Sequence, residues 1–155
     1  MIEIEIPGRE TIKAQHAVFD YNGTIAVDGK LIEGVAERIQ ELSTQVKVHV
    51  LTADTYGSAA AQCADLPLQV HTFPRAEAAA CKREIVQSLE GGAICFGNGF
   101  NDVSMFEIAT LSIAILDGEG MFAGLLRETD ILARSATEAI DLLLKPSHVK
   151  ATLRS

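Results

Sequence analysis

Three short stretches gather oxygen and amide groups where apolar runs stop. "HAVFD" ends on Asp20 and is followed by Tyr21, Asn22, Gly23 and Thr24; "VKVHVLT" ends on Thr52, with Ala53 and Asp54 after it; "AICFG" runs into Asn98, Gly99, Phe100, Asn101 and Asp102. Small, polar, oxygen-rich residues of this kind suit a phosphoryl group or a hard cation. Asp20 is the least expected of them, because a carboxylate closing an otherwise apolar run must be paired or put to use. Thr52 and Asp54 also have a plainer use as helix caps, Asp54 for a helix beginning near Thr55.

The elements that must position these residues are legible from hydrophobic period. "MIEIEIPGRETIKAQ" alternates around Pro7-Gly8 and reads as an N-terminal edge hairpin over residues 1–15. Strand-like runs then alternate with amphipathic helices: "HAVFD", "GVAERIQELS", "VKVHVLT", "TYGSAAAQCA", "LQVHTF", "RAEAAACKREIVQSLE", "AICFG", "DVSMFEIA", "LSIAIL", a weak segment near 119–126, "DILA" and "SATEAIDLLL". That beat predicts an α/β fold with a central parallel sheet covered on both faces. In such sheets ligands collect beyond the carboxyl ends of the strands, where the strand order reverses. The three oxygen-rich stretches all fall at such ends. One domain is expected over 1–155, with the core at 16–145 and a frayed tail at 146–155.

Composition narrows the function classes. The 155 residues carry a formal charge of −8, with 48% hydrophobic and 22% charged residues. An acidic surface repels polyanions, so nucleic acid is not an expected partner. With neither a membrane-length apolar run nor an export leader in the sequence, the expectation is a cytoplasmic protein without a membrane partner. Cys63, Cys81 and Cys95 lack metal or disulfide spacing. His16, His49, His71 and His148 are scattered without an i, i+4 pair, which disfavours a histidine-ligated metal.

Taken together and in order, the polar stretches resemble the haloacid-dehalogenase (HAD) superfamily, and within it the phosphorylation domain of P-type ATPases. "FDYNGT" is similar to that domain's Asp-Lys-Thr-Gly-Thr, "LTADTYGSA" to its Thr-Gly-Asp-Asn-x-x-Thr-Ala, and "FGNGFNDVSMF" to its Gly-Asp-Gly-x-Asn-Asp-x-x-Ala-Leu. The match runs from about His16 to Lys145. The resemblance implies a Rossmann-like three-layer sandwich and a magnesium-dependent phosphatase acting through an aspartyl-phosphate. It assigns Asp20 as nucleophile; Gly23, Thr24, Thr52, Ala53 and Asn101 as phosphoryl contacts; Lys82 as the bridge between nucleophile and phosphate, with neighbouring Arg83 as its competitor; and Asp20, the carbonyl of Asn22, Asn98 and Asp102 as magnesium ligands.

Two amides depart from the family pattern. Where most hydrolases of the superfamily carry a second aspartate as general acid and base, this chain has Asn22, and an amide cannot exchange protons in that way. P-type ATPases also lack an acid there, having threonine. Asn98 stands where most relatives have a metal-binding aspartate. With magnesium and one lysine, the usual four carboxylates leave a net charge of −1, whereas two leave +1, which predicts weak magnesium binding and good tolerance of phosphate. The intervals Thr24–Thr52 and Thr52–Lys82 leave no room for the family's cap domain. An open site suits a phosphorylated substrate as large as a protein, or closure by a second copy of the chain in a homo-oligomer. The competing expectation is a phosphate-binding or regulatory module with little turnover.

Overall fold

Six apolar runs become the strands of one parallel sheet in the computed structural model, which describes residues 1–54 and 57–155. They are β3 (His16–Asp20), β6 (Lys47–Thr52), β7 (Gln69–Thr72), β8 (Ala93–Gly97), β9 (Leu111–Ile115) and β10 (Ile131–Ala133), ordered β10-β9-β8-β3-β6-β7. The chain builds outward from β3 in one direction, then returns to the far side of β3 and builds in the other. The order therefore reverses between β3 and β8, whose carboxyl ends are Asp20 and Gly97.

Alternation along the strands divides the core. Ala17 and Phe19, Val48 and Val50, Ile94 and Phe96, and Leu111, Ile113 and Ile115 face one cluster; Val18, Leu51, Ala93, Cys95 and Ala114 face the other. The first cluster is covered by α1 (Val35–Leu42), which presents Val35, Ile39 and Leu42, and by α5 (Ala136–Leu144). The Ser135 hydroxyl caps α5 by accepting from the Glu138 N–H at 3.2 Å. The second cluster is covered by α3 (Ala78–Ser88) and α4 (Val103–Ile108). Helices on both faces of a buried parallel sheet make the predicted three layers.

Between β3 and β6 the only insertion besides α1 is a hairpin, β4 (Ala26–Val27) and β5 (Lys30–Leu31). Asp28 and Gly29 form its two-residue turn with φ of 52° and 80°, the conformation that matches strand twist and that Asp-Gly favours. Between β6 and α3 the described residues form α2 (Ser58–Gln62), β7 and a single 3-10 turn over Arg75–Glu77. Among the described residues neither interval holds a cap. The predicted start of a helix at Thr55 lies outside the described residues.

Two expectations are corrected. The N-terminal strands β1 (Ile2–Ile4) and β2 (Ile12–Ala14) do pair antiparallel, but as a separate two-stranded sheet rather than at an edge of the main one. Ile2, Ile4, Ile6 and Ile12 face the first core cluster, where apolar burial outweighs edge pairing. The tail is not frayed: α6 (Pro146–Leu153) opens on proline at its first turn and buries Val149 completely.

Three of the four histidines, distant in sequence, assemble on the face that carries Val18 and Leu51. His16 Nε2 meets the Glu90 carbonyl at 2.9 Å, His16 Nδ1 lies 3.0 Å from His49 Nε2, and His49 Nδ1 lies 3.0 Å from His71 Nε2. A carbonyl only accepts, so His16 donates to it, and a relay in which His49 donates to His16 and His71 donates to His49 gives each contact one donor and one acceptor. No group of three His, Cys, Asp or Glu side chains suited to a metal occurs among the described residues. Burial, reinforced by His71, His16 and Lys47, pushes His49 down to about 4, and burial also lowers His71. A base held neutral in the fold contributes stability that is full above the unfolded value near 6.5 and is lost as pH falls towards about 4. The urea midpoint of His49→Gln is therefore expected to fall less than that of the wild type between pH 6.5 and 4.5. Parallel profiles would show that the triad carries no such linkage.

Candidate active site

The three oxygen-rich stretches meet at the reversal of strand order. A cavity of about 310 Å³ there is lined by Asp20, Asn22, Thr52, Ala53, Lys82, Asn98, Gly99 and Asn101, together with Asp54, Phe73, Arg75 and Ala78. Lys82 organises its floor. It is 2% exposed, and its ammonium donates to Asp20 Oδ1 at 2.8 Å, Asn101 Oδ1 at 2.7 Å and Asp102 Oδ1 at 2.7 Å. These contacts engage all three of its N–H donors. Burial alone would lower the lysine, but Asp20 and Asp102 outweigh it and the net shift is upward. Arg83 points elsewhere, to the Ser104 carbonyl and Glu107. The choice between the two was readable: Ala78, Lys82 and Val86 fall on one buried stripe of α3, whereas Arg83 does not.

Asp20 is held from both sides, because its Oδ2 accepts from the Thr24 hydroxyl at 3.0 Å. Burial, and then the charge of Asp102, raise Asp20 to about 7 despite Lys82 and Thr24. Gly23, at φ 82°, allows the chain to turn here, and any side chain on it would run into the Asn98 amide.

Several predicted contacts are placed differently. Gly23 and Thr24, expected at the phosphoryl group, do not line the cavity; Thr24 is fully buried with its hydroxyl turned to Asp20. Asp102, expected as a metal ligand, is also fully buried behind the cavity. Its Oδ1 is on Lys82 and its Oδ2 accepts the N–H groups of Asn98 (3.0 Å) and Gly99 (2.9 Å). In this arrangement it shapes the loop and holds the lysine. Thr52 Oγ1 accepts from Asp54 N at 3.0 Å, and Asp54 Oδ2 accepts from Ser58 N at 3.0 Å and from the Ser58 hydroxyl, at the start of α2.

The amides have structural tasks. Asn22 Oδ1 accepts from Gly29 N at 3.0 Å, while the Tyr21 hydroxyl donates to Gly29 O at 2.8 Å, so the β4–β5 turn is tied to the end of β3. Asn98 Nδ2 donates to Gly120 O at 3.1 Å, and Phe122 N donates to Asn98 O at 2.8 Å. An aspartate at 98 would lose that donor and bring a carboxylate against a carbonyl.

For a hard cation, the cavity-lining residues that could supply oxygens are Asp20, Asn22 and Asn98, whose Oδ1 lies 3.4 Å from the Thr24 hydroxyl. One carboxylate with neutral oxygens fits magnesium, which keeps several waters and leans on substrate phosphate, and does not fit a tightly caged ion.

The sheet order and its flanking helices decide the fold. The fold is that of the HAD hydrolases. Superposition on the 3-deoxy-D-manno-octulosonate 8-phosphate phosphatase of Moraxella catarrhalis, crystallised with magnesium, phosphate and the sugar acid, gives a TM-score of 0.70 at 10% identity, covering 88% of this chain and 89% of that one. A zinc-transporting PIB-type ATPase gives 0.59 at 24% identity over 79% of this chain and 20% of the pump. In sequence, the chain is 50% identical over 38 residues to the uncharacterized protein MJ0072 of Methanocaldococcus jannaschii, covering 24% of this chain and 86% of that protein. It belongs to the family of that protein. It is also 36% identical over 61 residues to MJ0073 of the same organism, covering 39% of this chain and 66%, just under two thirds, of that protein. No family model matches. Among its described residues this HAD-fold chain has no cap and no helix long and apolar enough to cross a membrane.

Phe73, Arg75 and Ala78 line the cavity without having been singled out in the sequence, and Arg75 is the polar one of the three. It follows β7 through Phe73 and Pro74, and so obeys the same strand-end rule that located the other three stretches.

Proposed function

We propose that this HAD-fold protein is a magnesium-dependent phosphohydrolase of slow turnover, acting through an aspartyl-phosphate on Asp20. The observation that carries this reading is a strand-end carboxylate, fixed by Lys82 and Thr24, that opens onto a cavity beside the Asn101 amide. Asp20 attacks phosphorus, the bond to the leaving oxygen breaks, and that oxygen takes its proton from water because Asn22 has none to give. A water molecule then attacks the phosphoryl group, releases phosphate to solution with loss of a proton, and restores Asp20. Lys82 is oriented throughout by Asp102 and holds the nucleophile and Asn101 in one geometry. Magnesium, held by Asp20, Asn98 Oδ1 and the Asn22 carbonyl, would neutralise phosphoryl charge. A soluble, cytoplasmic setting accords with this reading.

A second reading is a phosphate-binding regulatory module, favoured by the structural use of both amides. Trapping separates them. After mixing with para-nitrophenyl phosphate and magnesium and quenching in acid, the proposed enzyme gains one phosphoryl mass, located at Asp20 by peptide mapping. Labelling elsewhere, or no label with phosphate still bound, supports the module.

A further inference from the structure

Among the described residues, Arg75 is the one cation on the cavity wall that the protein itself does not use. Lys82 has all three donors engaged within the site. Arg38, Arg83 and Arg134 each pair with a carboxylate, to Asp141, Glu107 and Glu138. Arg75 lines the cavity and has no hydrogen-bond or ion-pair partner among the described residues. Asp54, on the same wall, is engaged instead by Ser58. The arginine is not on a loose loop: Pro74 precedes it with φ −61°, and it opens the 3-10 turn that leads into α3. Phe73 and Ala78, both buried, flank that turn.

From this placement we infer that the substrate is a small phosphomonoester bearing a second anionic group, which the Arg75 guanidinium reads while the phosphoryl group sits at Asp20. The inference rests on the reading of Asp20 as the phosphoryl site. A guanidinium presents a planar fork of donors matched to carboxylate or phosphate, and in a chain of net charge −8 an unpaired one at a cavity mouth selects anions locally. The span is set by the sheet. Thr52 is paired with Thr72, and Asp20 with Leu51, so β7 lies two strand spacings from β3, roughly 10 Å. Arg75 lines the same cavity as Asp20, and a stem spanning part of that distance would leave a connection of a few bonds between phosphorus and the second anion. A cavity of about 310 Å³ is at the small end of the range for small-molecule sites and suits such a compound.

Non-hydrolysable phosphonates test this without requiring turnover. Titration calorimetry of the full chain with magnesium compares propylphosphonate, 3-phosphonopropionate and ethane-1,2-diphosphonate in wild type, Arg75→Ala and Arg75→Lys, with melting curves confirming that each variant is folded. In wild type, at least one of the two doubly anionic compounds is expected to bind about ten-fold tighter than propylphosphonate, as a charge-assisted pair at an open rim provides. Which of the two is preferred tells carboxylate from phosphate as the second group. Arg75→Ala brings the ratio close to one, and Arg75→Lys restores only part of it. If propylphosphonate binds and the ratio is one in wild type, or survives Arg75→Ala, the role of Arg75 is overturned while the phosphoryl site stands. If no phosphonate binds at all, both fall.

Discussion

Asp20→Asn is expected to remove turnover and, in metal-free buffer, to make the fold more stable. Loss of a nucleophile that acts as a unit with its surroundings costs at least about 10⁴-fold in rate. The gain in stability follows from the same burial that shapes the site. Asp20 is raised to about 7 first by burial and then by Asp102, so in the fold it holds its proton more tightly than in the unfolded chain. A carboxylate shifted upward is neutral and harmless below its unfolded value near 3.8, and its ionisation opposes folding increasingly as pH rises to about 7. Above that, the penalty is on the order of 2–4 kcal/mol, which in a chain of this size is worth several degrees of melting temperature. Asparagine keeps an oxygen for Lys82 and avoids the charge, while Lys82 retains Asp102. Urea unfolding at pH 7.5 should therefore show the variant ahead, with the lead shrinking at pH 5 and also on adding magnesium, which favours the ionised carboxylate. His49 works in the opposite direction over an overlapping window, so the difference between wild type and variant isolates Asp20 where the raw profile would not. A variant less stable at every pH would mean that the Lys82 pair outweighs the burial of Asp20.

The sheet and the position of the cavity were readable in the sequence because both follow from short-range rules. Period-2 runs separated by amphipathic stretches have few ways to fold, and the polar residues that end those runs must lie along one edge of a parallel sheet. What could not be read was the direction in which each side chain turns there. Thr24 and Asp102 have the residue types expected at a ligand, yet both face inward, Thr24 to Asp20 and Asp102 to Lys82 and two backbone N–H groups. Sequence spacing does not distinguish an oxygen that meets a ligand from one that holds the residue that does. The histidine row was hidden for a different reason. His16, His49 and His71 are brought together only by strand register, over separations of 33 and 22 residues. The helical tail was hidden by composition, since a short segment after proline shows weak amphipathicity until Val149 finds the core.

Asn22→Asp should accelerate hydrolysis if Asp20 already forms the phosphoenzyme, by about 100- to 10,000-fold, the range that a positioned acid and base contributes. Position 22 is prepared for such a group. Asn22 is exposed, lines the cavity and reaches Gly29 N through an oxygen that aspartate also has, so the β4–β5 turn keeps its tie. A carboxylate placed two residues from Asp20 would feel a like charge, which raises its value towards the pH at which a group both donates and accepts protons. The rate should then pass through a maximum with pH that the wild type lacks, and the trapped phosphoenzyme should become short-lived, because the base now activates the second water. Steady-state release of para-nitrophenol and the decay of the acid-quenched label measure the two effects separately. Faster decay with an unchanged first step would place the slow event of the natural protein at hydrolysis of the intermediate, as expected of a chain in which an amide guards a stored phosphoryl group. If neither rate moves while phosphonates still bind, the cavity recognises phosphate without acting on it, and the two amides belong to a protein whose output is the bound state.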